Sequence, residues 1–151
     1  MSENNLEYWS KMYQEQITHA RHHETLRSQA TNLIVVISGA LLAFLSSVAA
    51  TPGRQVILGV FLIVVNIYGL LMSIKHYERS RLHVTVAGQY RDFLSQNASA
   101  FGNSINTTRK RGHEKHKQNF PIVQHFRTYA LWSGLHLLLA MIGGFVAFFP
   151  K

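Results

Sequence analysis

The sequence predicts an all-α integral membrane protein: a long helical hairpin with a cytoplasmic stem, plus a third transmembrane helix. Three observations predict it. Residues 32–50, 56–74 and 130–149 are apolar segments without Lys, Arg, Asp or Glu, and each is long enough as a helix to cross a hydrocarbon core of roughly 30 Å. Within them, residues 34–37, 41–45 and 61–65 are apolar on every side of a helix, where a soluble bundle would carry a polar stripe. Finally, only the short turn "TPGR", with Pro52 and Gly53, separates the first two segments, so they form an antiparallel hairpin.

The chain opens on the stem. Leu6, Trp9, Tyr13, Ile17 and Ala20 recur at three- and four-residue steps, which marks one face of an amphipathic helix. With no breaker before Gly39, residues 5–50 read as one helix, about 70 Å long at the standard rise. The polar residues ahead of the first apolar segment argue against a cleaved signal peptide. Past Ile74 the chain runs on without proline, and Tyr77, Val84, Ala87, Tyr90 and Leu94 can form a second stripe that packs on the first. From Asn97 to Lys117 the sequence is polar, glycine-containing and basic, which predicts a loop. The third helix is expected to start near Asn119, with Pro121 in its first turn. The resulting division is a cytoplasmic amphipathic helix (1–31), a transmembrane hairpin (32–74), a basic cytoplasmic helix and loop (75–129) and a third transmembrane helix (130–149).

Charge sets the expected orientation. The net charge is +8, and ten of the fifteen basic residues lie between Lys75 and Arg127. Lys11, Arg21 and Arg27 precede the first span, whereas only Arg54 and Lys151 fall on the other side. Positive residues favour the cytoplasmic face. The expectation is a multi-pass protein of the cell inner membrane with its N-terminus cytoplasmic and its C-terminus outside. The basic segment is suited to anionic lipid headgroups. Nucleic acid is a poor fit for Arg109 to Lys117, because no aromatic residues interleave with the charge.

Two short stretches echo one another. "HHETLR" and "HYERSR" share the pattern His-x-Glu-x-x-Arg, one before the first span and one after the second. His22, Glu24, Arg27, His76, Glu78, Arg79 and Arg81 are therefore candidates for a charged collar at the cytoplasmic boundary, with Glu24 pairing Arg79 or Arg81. Ordinary interfacial ion pairs, each worth about 0–1 kcal/mol, are the plainer reading. His19 and His23 share a helix face, but no third ligand is obviously placed to complete a zinc site. "HEKH" at 113–116 lacks the two-residue spacing that puts both imidazoles of a zinc protease on one face. The glycosylation sequons at Asn97 and Asn106 fall in the segment assigned to the cytoplasm. There is no cysteine. No catalytic constellation stands out, so no enzyme activity, catalytic residue, metal or cofactor is expected.

Inside the spans the polar and small residues carry the interest. Gly39, Ala43 and Ser47 repeat every four residues, with Ser38 and Ser46 flanking them, and offer a close-packing surface for a subunit contact. Ala140, Gly143, Gly144 and Ala147 form a second such surface. Asn66 and His136 lie well inside the second and third spans, where polar groups must face a partner or water. These are the candidates for pore lining or helix packing.

A helix ending "RHHETLRSQATNLIVVISGALL", a short turn, a second span and then "KHYERSRLH" resemble the SLATT family, over roughly residues 8 to 95. That family comprises small two-transmembrane effector domains associated with bacterial nucleotide-signalling and related defence systems. The resemblance implies a membrane effector that forms pores or perturbs the inner membrane when infection is sensed. The third span departs from the simplest two-span version. The expected function is an oligomeric membrane effector of antiphage defence, with the lipid bilayer, further copies of itself and a soluble defence partner or nucleotide signal as its partners. The alternative is a non-conducting anchor that recruits a soluble partner through the basic segment.

Overall fold

The computed structural model describes residues 3–47, 51–97, 102–119, 121 and 127–150, with side chains for all of these except 3, 4, 47 and 102–106. The described residues hold four helices: α1 (Glu3–Ser47), α2 (Pro52–Asn97), α3 (Gly102–Asn119) and α4 (Thr128–Phe148). The all-helical architecture agrees with the sequence reading, and α1, α2 and α4 are each long and apolar enough to cross a membrane. Pro52 opens α2, a position where its missing N–H costs no helix hydrogen bond.

Two differences concern the connection between α2 and α4. The expected loop from Asn97 to Lys117 contains α3, and the last apolar helix begins at Thr128 rather than near Asn119, which instead closes α3. Pro121 lies in a turn. The physical reason is composition: α3 has no proline and carries five Arg and Lys residues and two His, and Arg and Lys are good helix formers. It has no apolar stripe to announce itself, because its described side chains are exposed on all sides. His116 and Lys117 in its last turn oppose the negative end of the helix dipole.

The chain divides into two packed units, one of residues 1–23 and 78–127, the other of residues 24–77 and 128–151. In the first, Trp9 packs its ring against Tyr90 and Phe93, with centroids 5.6 and 4.9 Å apart. Ala20, Ser80 and Ala87 are buried there. The expected stripe on α2 is corrected at Val84, which is exposed. The inward position is taken by His83, whose Nδ1 lies 2.7 Å from Gln16 Oε1. At the surface, the Lys11 ammonium lies 2.7 Å from Glu7 and holds that carboxyl below its ordinary range.

In the second unit the usual distribution of polarity is reversed. Val36, Leu33, Leu71, Met141 and Phe145 are all exposed, whereas Thr31, Ser38, Asn66, Ser73 and His136 are buried. Buried positions on α2 recur every seven residues, at Gly59, Asn66, Ser73, Ser80 and Ala87. Thr31 and Ser38 on α1, and His136 and Gly143 on α4, repeat the same step. This is the recurrence of coiled-coil packing, which keeps one narrow seam against the neighbouring helices. Tyr77 stacks on Tyr129 at 4.2 Å, and Gly59 meets Gly143 and Ala147 further along. Therefore, within this unit, α4 runs antiparallel to α2, and its C-terminal end lies beside the start of α2.

Candidate functional site

The buried seam of the second unit converges on Asn66. From the middle of α2, its Nδ2 donates to Ser38 Oγ on α1 at 2.9 Å and to the Leu62 carbonyl at 3.0 Å. Its Oδ1 lies 3.2 Å from His136 Nδ1 on α4. One amide thus ties all three helices together. Ser38, Asn66 and His136 are each 0 % exposed. The amide also fixes the imidazole tautomer. An amide oxygen only accepts, so Nδ1 carries a proton, and in the neutral ring Nε2 presents a lone pair.

His136 fits because α2 gives way to it. A Cβ on Gly69 would lie 2.6 Å from His136 Cε1 and 2.8 Å from its Nδ1, so glycine at 69 makes room for the ring. Three further polar atoms near this cluster, Ser73 Oγ, Ser133 Oγ and His136 Nε2, are buried without a protein hydrogen-bond partner. Burying such groups unpaired is costly.

Of the candidates named from sequence, the structure brings together Ser38, Asn66 and His136. Gly39 and Ala43 face outward, and nothing lies within 4 Å of a Cβ built on Gly39. Ser46 is also exposed and donates to the Ala43 carbonyl at 2.8 Å. The Ser47 side chain lies outside the described residues. On the second small surface, Gly143 and Ala147 pack against Gly59, while a Cβ on Gly144 would meet nothing within 4 Å.

The two echoed motifs are used differently. Arg27 turns inward, 6 % exposed, and Glu24 on the same helix pairs with it. The expected partners of Glu24, Arg79 and Arg81, are exposed, as are His22 and Glu78, and His76 is half-buried. The Glu24 pairing therefore lies within its own motif, because three residues on a helix bring the two side chains onto neighbouring positions.

Sequence reasoning missed Thr31, Gly59, Gly69, Ser73, Ser133 and His83. The seven-residue recurrence on α2 was the available signal for Gly59 and Ser73. His83 stacks on His19 and on His23 with centroids 5.2 and 5.5 Å apart and interplanar angles of 28° and 14°. Rings so stacked bring faces rather than nitrogens together, and among the described residues no group of three His, Cys, Asp or Glu is placed to hold a metal ion. No protein-family model matches this chain, and no curated protein or solved structure does so at a significant level.

Proposed function

We propose that this protein is a homo-oligomeric effector of the bacterial inner membrane, which forms a pore or disrupts the bilayer as part of antiphage defence. The observation that carries the membrane reading is the reversed polarity of the second unit: apolar side chains outside, and Ser38, Asn66, Ser73 and His136 inside. Such an arrangement is stable where the surrounding solvent is hydrocarbon and polar groups must be satisfied internally. The outward-facing Gly39 and Ala43 leave room for another copy to approach closely. The assignment to defence rests on the resemblance to the SLATT family.

In the proposed orientation, which the excess of basic residues before the first span and between Lys75 and Arg127 supports, the N-terminus and the ends of the spans bearing Tyr77 and Tyr129 face the cytoplasm and the C-terminus lies outside. A nucleotide signal or a soluble defence protein acting on the cytoplasmic segments is the proposed trigger. The second reading, a non-conducting anchor, draws on α3, whose exposed Arg109, Lys110, Arg111, Lys115 and Lys117 offer a basic surface to a soluble partner.

Liposome leakage separates the two. Purified protein should collapse an ion gradient imposed across the vesicle, and Gly39→Leu should reduce both that leak and the oligomer size on native gels. Intact vesicles with retained partner binding would favour the anchor. A reporter fused after Lys151 should be found outside the cytoplasm; cytoplasmic exposure would overturn the orientation.

A further inference from the structure

The interior of the unit formed by residues 24–77 and 128–150 is polar over one half of its length and dry over the other. The pairs Gly59–Gly143, Gly69–His136 and Tyr77–Tyr129 fix the antiparallel register of α2 and α4. Ser73 falls between Gly69 and Tyr77, and Ser133 between His136 and Tyr129, so the two serines lie at one level, a turn from His136. On α1, the contacts of Ile34 with Gly69 and Ser38 with Asn66 place Thr31 at the level of Ser73 as well. A polar column therefore runs from Arg27 and the stacked tyrosines, past Thr31, Ser73 and Ser133, to Ser38, Asn66 and His136. Beyond it lie fully buried Leu62 and the tight crossing of Gly59 with Gly143 and Ala147.

The column has the groups that hold water. A buried water needs two to four polar partners, and Ser73 Oγ, Ser133 Oγ and His136 Nε2 are three buried atoms whose hydrogen bonds the protein leaves unmade. Neither serine hydroxyl bonds back to its own helix, the usual outlet for a serine in a helix. Two hydroxyls can donate or accept, and the imidazole presents a lone pair because Asn66 holds its other nitrogen as N–H.

We propose that this column is a proton path that ends on His136, with Leu62 and the Gly59–Gly143–Ala147 crossing as its gate. The proposal rests on the membrane-effector reading and deepens it by naming the permeant ion and the route. A water-borne proton adds to His136 Nε2 while Nδ1 keeps its own, giving an imidazolium. When the gate hydrates, the imidazolium releases one proton to water beyond Leu62, and neutral imidazole with Nδ1–H is restored by proton exchange and ring reorientation. Asn66 and Gly69 of α2 lie against the ring, and on α1 Ile34 lies beside Gly69 and Ser38 bonds to the Asn66 amide; none of these side chains is titratable. Arg27, paired with Glu24, stands at the outer end of the column. Leu62, Asn66 and His136 are fully buried, so the route is one for protons passed by exchange and not for a hydrated metal ion.

The test uses the full chain in sealed vesicles containing a pH-sensitive dye, with a potassium gradient and valinomycin to drive proton entry, and carboxyfluorescein release as the control. Leu62→Ala should conduct protons faster than the parent, and adding His136→Gln should cut that flux at least tenfold with carboxyfluorescein retained. Proton flux undiminished by His136→Gln would overturn the path. So would absence of flux from Leu62→Ala protein that is helical by circular dichroism. If Leu62→Ala does not fold, the parent is compared with Ser73→Ala and His136→Gln: lower proton flux in both variants supports the path, and equal or absent flux overturns it. Dye release that ignores His136 sinks this route but leaves the effector reading standing. Vesicles tight to both protons and dye count against both.

Discussion

Gly59 and Gly143 meet backbone to backbone. A Cβ on Gly59 would sit 2.7 Å from the Gly143 carbonyl oxygen, and one on Gly143 would sit 2.8 Å from the Gly59 carbonyl oxygen. Alanine in a helix interior ordinarily gains about 1 kcal/mol over glycine. Here the obstacle is backbone, which cannot step aside, so α4 must move. Gly143→Ala is expected to destabilise the protein by about 1–3 kcal/mol, the usual range for overpacking. Gly144→Ala, one residue on and facing open space, should be neutral or slightly stabilising. Unfolding titrations in mixed detergent compare the two directly.

Asn66→Leu keeps the approximate volume at the centre of the second unit but removes one acceptor and two donated hydrogen bonds. It strands Ser38 Oγ and the His136 Nδ1–H in the buried interior, at a cost on the order of 1–3 kcal/mol for each group left unpaired. The same titration should show a lower midpoint. An unchanged midpoint would mean that the three helices do not depend on this amide.

The tautomer of His136 is open to observation. Nitrogen NMR of ¹⁵N-histidine protein should show Nδ1 protonated and Nε2 bare. Gly69→Ala places a methyl group against the ring and against Ile34 Cδ1. It is expected to push the imidazole away from Asn66 and to change that signal, with helicity retained.

Glu24→Gln should weaken the protein although Glu24 itself is half-exposed, because Arg27 keeps its buried charge. Losing one partner costs more than the pair is worth, so about 1–3 kcal/mol is expected. Adding Arg27→Met should recover most of that loss. An exchange of charge between Glu24 and Arg79 should recover little. If that exchange does restore stability or membrane permeability, the collar across the two motifs is the working arrangement.

The apolar runs made three of the four helices legible before any coordinates, since nothing but a helix satisfies twenty such residues in hydrocarbon. Asn66 and His136 stood out for the same reason, as polar groups in an apolar sequence. Their partnership with Ser38 was not legible, because it depends on the register of α1, α2 and α4, and each apolar run reads the same when slid by a turn. Gly69 looked like an ordinary small residue until His136 was seen against it. α3 escaped because periodicity searches seek an apolar face, and a helix polar on all sides has none. Arg27 misled in a different way. Its motif looked symmetrical with that of Arg81, and only burial distinguishes the inward copy from the outward one.

The seven-residue recurrence of Gly59, Asn66, Ser73, Ser80 and Ala87 also restricts how the gene can drift. Codons for the outward positions, such as Val36, Leu71 or Met141, can exchange among apolar residues with little effect. One codon gained or lost inside α2 is another matter. It turns everything beyond it by about 100° around the helix axis, and puts Asn66 on the opposite side of the lesion from Ser73 with the seam broken between them. Insertions of seven codons preserve the facing and only lengthen the helix, by about 10 Å. Natural variation in this chain should therefore be rich in substitutions on the outer face, poor in single-codon gaps within its helices, and tolerant of gaps in the connections between them.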